Sequence, residues 1–93
     1  MCSCNKNRRV QPSAFNCANY GIADLNIYLI QYECVLAAGT YGSIGMSLSH
    51  VNGQITNLNA FIAVLTGNPN STTHCGSVPL YLTDSVLMTS IGC

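Results

Sequence analysis

Six cysteines, two histidines and three carboxylates are the residues of this chain able to do chemistry, and their spacing decides which chemistry is open to them. Zinc takes tetrahedral sulfur and nitrogen ligands, and a set for it is available in Cys2, Cys4 and Cys17 with His74 or Cys75. The spacing argues against that site. Cys2 and Cys4 are separated by a single residue, tighter than the gap of about two to four residues usual for zinc ligands, and no second close pair exists. Disulfides are another use of the same residues. Each would stabilise a small core by roughly 2–4 kcal/mol, but needs oxidising conditions. In a third reading, Cys34 is a small core residue inside an apolar helix and the other cysteines are free thiols.

Enzyme constellations are hard to assemble. The carboxylates Asp24, Glu33 and Asp84 form no acidic pair, His50 falls on the polar face of a helix, and His74 adjoins Cys75 in a loop. Side chains adjacent in sequence seldom point together, and no glycine-rich phosphate loop supports a reaction. The expectation is a protein without catalytic residues, cofactor or resident metal.

The elements that would position these residues are unusually poor in charge. The chain is 48% hydrophobic and 6% charged, where an ordinary soluble domain has about 25% charged residues. Residues 34–83 contain no Asp, Glu, Lys or Arg. Near-zero net charge and a neutral surface favour association, and a core made from 93 residues leaves little stability in reserve. The window 21–39 is rich in Ile, Leu and Tyr, yet Asp24, Asn26, Gln31 and Glu33 would each be costly in hydrocarbon, so no membrane span is expected. Met1 is followed by Cys-Ser-Cys and polar residues rather than a basic start and an apolar core, which predicts no secretory signal. A chain made inside a cell leaves the Asn70-Ser71-Thr72 sequon unused.

The pattern predicts a mainly α fold. It comprises a helical hairpin of about 22–38 and 41–66, an extended Cys-rich basic arm over residues 1–19 and a short mixed tail, with 20–93 as one small domain. In the first helix Leu25, Tyr28, Leu29, Tyr32, Val35 and Leu36 follow three-and-four spacing. Ile27, Ile30 and Cys34 add a second apolar stripe, which implies burial on two sides. Asp24 suits the first turn and Gly39 a C-terminal stop. In the second helix Ile44, Leu48, Val51, Ile55, Leu58, Ile62 and Leu65 are spaced alternately by four and three, a heptad seam for the core or for an oligomer. Thr40 or Ser43 is a candidate cap for that helix. The opposite face carries Ser47, Ser49, His50, Asn52, Gln54, Thr56, Asn57 and Asn59. In the tail Pro79 opens an apolar piece; proline is common at a first helical position, but Leu80-Tyr81-Leu82-Thr83 also alternates like a short strand, so a short strand or turn followed by a short helix is expected.

Lys6, Arg8 and Arg9 give the arm a basic cluster able to touch nucleic acid or an acidic surface. The opening Met1-Cys2-Ser3-Cys4 with Asn5-Lys6-Asn7-Arg8-Arg9, on a short charge-poor chain, resembles the small accessory virion proteins of tailed bacteriophages. That resemblance covers about nine residues and carries over no site. It implies a structural component of a capsid, portal, collar or tail, made in the host cytoplasm and held in the virion among other virion proteins or copies of itself. A mostly interfacial surface need not be kept soluble by charge, which agrees with the composition. The alternative is a small zinc-holding module whose basic arm contacts nucleic acid.

Overall fold

The computed structural model describes residues 17–93 and is mainly helical. Its three α-helices are α1 (Ile22–Ala38), α2 (Leu48–Gly67) and α3 (Val78–Ser90), with 3-10 turns at Cys17–Asn19, Tyr41–Ile44 and Cys75–Ser77. Most of the arm, with Cys2, Cys4, Lys6, Arg8 and Arg9, lies outside the described residues. Cys17 does not belong to an arm: it sits in the first 3-10 turn and is disulfide-bonded to the body.

The ends of α1 are set by local chemistry. The Asp24 carboxylate accepts a hydrogen bond from the Gly21 backbone N–H at 3.1 Å, satisfying a donor at the helix start. Gly39 ends the helix at φ 70°, a left-handed conformation costly for a side chain, and the Thr40 N–H returns to the Val35 carbonyl at 3.1 Å. The second helix starts later than its periodicity suggests. Residues 41–44 form a separate 3-10 turn that Gly45 closes at φ 80°, and Ser47, rather than Thr40 or Ser43, caps α2 by accepting from the His50 N–H at 3.0 Å.

The largest departure is in the tail, where Leu80, Tyr81, Leu82 and Thr83 are helical rather than extended. Pro79 occupies the first turn, where a missing N–H breaks no intrahelical bond. Val78, Tyr81, Asp84 and Met88 then recur at helical spacing and are buried, so tertiary burial decides against the local strand alternation.

Tyr28 of α1 packs on Tyr81 of α3 with ring centroids 5.6 Å apart, Tyr32 meets Asp84, and Gln31 donates to Thr89 at 3.1 Å. Positions thus advance together along α1 and α3, which run parallel. Tyr32 also faces His50 and Gln54 near the start of α2, giving an up-down-up bundle. Its core is Leu25, Tyr28, Tyr32 and Val35 of α1, Met46, Val51, Leu58 and Leu65 of the second arm of the hairpin, and Tyr81 and Met88 of α3. Two disulfides close it, Cys17–Cys75 and Cys34–Cys93, with Cα separations of 5.4 and 5.8 Å. Each joins residues nearly sixty positions apart, the situation in which loop-closure entropy makes a cross-link most effective.

Candidate functional site

The heptad seam divides into three kinds of position. Val51, Leu58 and Leu65 are buried in the core, Ile44, Ile55 and Ile62 are half-buried at its edge, and Leu48 is exposed. The inward face is therefore rotated toward Val51, Gln54, Leu58 and Leu65. Gln54, assigned by pattern to the polar face, is buried, because a position three after Val51 and four before Leu58 lies on their side of the helix. The second stripe of α1 is also misplaced by pattern: Ile27 and Ile30 are 55% and 63% exposed and stand outside the core cluster.

The polar centre of the bundle is Asp84, 5% exposed and reached from both other helices. Its Oδ2 accepts from the Tyr32 hydroxyl at 2.5 Å and pairs with His50 Nε2 at 2.7 Å. Gln54 Nε2 stands 3.5 Å from the Tyr32 oxygen, and the Tyr32 and His50 rings meet edge-on with centroids 6.3 Å apart. Burial, then the hydrogen bond to Asp84 and its charge, pushes the Tyr32 phenol far above its ordinary range. Burial likewise raises Tyr28 and Tyr81. His50 is not a free surface residue, because a buried carboxylate holds its ring. The hint in the sequence is Asp84 itself, an acid three residues after Tyr81 and four before Met88 on an otherwise apolar helix face.

In a Ser-His-Asp triad a carboxylate orients the imidazole and the ring's other nitrogen faces the nucleophile. Among the described residues no hydroxyl is bonded to the His50 ring, and Ser47 meets only its backbone N–H. The four described cysteines are consumed in disulfides. The cluster ties three helices together through Asp84 Oδ2, the Tyr32 hydroxyl, His50 Nε2 and Gln54 Nε2.

The zinc reading requires correction. Cys17 and Cys75 are bonded to each other, so neither offers a thiolate, and Cys2 and Cys4 lie outside the described residues. No group of three His, Cys, Asp or Glu side chains able to hold a metal occurs among the described residues. The reading of Cys34 as a plain core thiol also fails, since it is bonded to Cys93. His74 is buried at the Cys17–Cys75 end, where its Nε2 donates to the Tyr20 carbonyl at 3.2 Å and the Phe61 ring lies 6.1 Å away. A cleft of about 140 Å³ opens nearby, between Tyr20 and Gly21 on one side and residues 69–72 on the other. Small-molecule sites usually measure roughly 300–1,000 Å³, so this one is small for an organic ligand.

No helix of the described residues is long and apolar enough to cross a membrane. Comparison with family models, with curated proteins and with solved structures finds no match to this chain.

Proposed function

We propose that the chain is a non-enzymatic structural protein that works by assembly, as an accessory component of a phage virion whose partners are other virion proteins or copies of itself. The observation that carries this reading is the outward placement of large apolar side chains on a body nearly without charge. On α3, Leu80 and Leu87 share one exposed edge by helical spacing, Ile91 follows at the C-cap and is also exposed, and Val86 is 71% exposed. Residues 34–83 add no formal charge to keep such a surface apart from a neighbour's. The two disulfides agree with a particle that leaves the reducing interior of its host, and the opening residues resemble those of accessory virion proteins. Sedimentation over a wide concentration range tests the reading. A defined oligomer, dispersed by the pair Leu80→Glu and Leu87→Glu, is the expected result; a monodisperse monomer at high concentration and low salt overturns it.

A further inference from the structure

The two disulfides close loops of nearly equal length, with sequence separations of 58 and 59, so chain entropy stabilises them alike. Their four cysteines are all half-buried, so exposure does not separate them either. Their neighbours do. His74, 1% exposed, sets its Nε2 3.8 Å from Cys17 Sγ and 3.2 Å from the Tyr20 carbonyl. A carbonyl only accepts, so the ring carries a proton on Nε2, within reach of the sulfur as well. No such ring stands at Cys34–Cys93: the described residues contain no Lys or Arg, and their other histidine, His50, is held by Asp84. The Cys17–Cys75 bond also lies outside the core, tying residues 17–21 to the loop before α3, and a cleft of about 140 Å³ borders Cys17.

We propose that Cys17–Cys75 is a redox-reactive latch, opened by small thiols of the glutathione class, with His74 holding a proton at the leaving sulfur. A glutathione thiolate attacks Cys75 Sγ, a Cys75–glutathione disulfide forms, and the Cys17–Cys75 bond breaks with its electron pair on Cys17 Sγ. The His74 Nε2–H donates to that new thiolate, and a hydrogen bond to a charged group is roughly twice as strong as one between neutral groups. A better-stabilised leaving sulfur departs faster, which sets the direction of attack. The cleft gives the freed Cys17 side chain room to turn away. A second glutathione thiolate then displaces Cys75 from the mixed disulfide. Two glutathione thiols thereby become one oxidised glutathione, and the protein disulfide becomes two thiols with protons taken from the medium. The three-helix core and Cys34–Cys93 stay in place. The proposal is independent of assembly through α3.

The test uses the full-length chain carrying Cys2→Ser and Cys4→Ser, incubated natively with reduced glutathione, quenched with acid at intervals and read by mass spectrometry of its peptides. Cys17–Cys75 is expected to open first, with glutathione found on Cys75. His74→Leu removes the donor and should slow that opening about tenfold without changing the Cys34–Cys93 rate, and His74→Gln, which keeps an N–H donor, should restore part of it. A merely structural role has the opposite sign: looser packing around the bond would speed its opening, and general destabilisation would speed both. Cys34–Cys93 opening first or at the same rate, glutathione on Cys17 instead of Cys75, or an opening rate in His74→Leu that is unchanged or faster each overturns the proposal.

Discussion

The Tyr32 hydroxyl of α1 donates to the Asp84 carboxylate of α3 across 52 residues of sequence, and that same oxygen holds His50 of α2. A single buried acid therefore joins all three helices. Removing one partner leaves the others buried with a donor or acceptor unmade, at about 1–3 kcal/mol. Asp84→Ala should lower stability by that amount or more, and Tyr32→Phe by less. The double mutant should fall short of the sum, since both changes break one bond. Urea unfolding of the four proteins measures this; strict additivity would mean that the contact contributes nothing.

Alkaline pH should unfold the bundle. Burial raises the phenols of Tyr28, Tyr32 and Tyr81 above their ordinary value of 10.0, and Tyr32 is raised furthest. The unfolded chain then loses these protons at lower pH than the folded one. Their contribution is complete below pH about 10 and declines as pH rises through the folded values. The urea midpoint, followed with Cys2 and Cys4 replaced by serine to prevent thiol exchange, should be level between pH 8 and 9 and fall beyond pH about 10. In Tyr32→Phe the fall should be shallower.

Both disulfides should be recovered as linked peptides after digestion without reductant. Replacing Cys34 and Cys93 together by serine should cost roughly 2–4 kcal/mol, and the Cys17 and Cys75 pair a similar amount. Cys34–Cys93 holds the residues after α3 against α1, so its loss should increase amide exchange first in the last turn of α3.

The extent of α1 was legible because its signals agree: Asp24 at its start, Gly39 at its end and a regular apolar face between them. The main chemistry was not. Six cysteines allow about fifteen complete pairings, and local spacing cannot choose among links made across nearly sixty residues. The Tyr32–Asp84–His50 cluster is similarly silent, because a buried polar contact between distant helices has no period. The apolar stripe containing Ile27 and Ile30 was visible but its direction was not, since periodicity locates a face without saying what covers it.

The same limit governs α2 and gives the sharpest test of its orientation. Leu48 and Leu58 belong to one heptad pattern and are chemically identical, yet Leu58 is fully buried and Leu48 is 47% exposed. Truncation of Leu58 to alanine deletes packed methyls and leaves a cavity, which costs about 2–5 kcal/mol. At Leu48 the same change exposes no core atom, and leucine and alanine are both good helix formers, so an isolated bundle should change by about 0.5 kcal/mol or less. Ile55→Asp, at the half-buried edge, should fall between them, because its carboxylate can turn partly toward water. Thermal unfolding of the three variants at one low protein concentration measures the order. If Leu48→Ala proves as damaging as Leu58→Ala under those conditions, α2 is rotated about its axis from the position described, and Gln54 and Tyr32 would not meet.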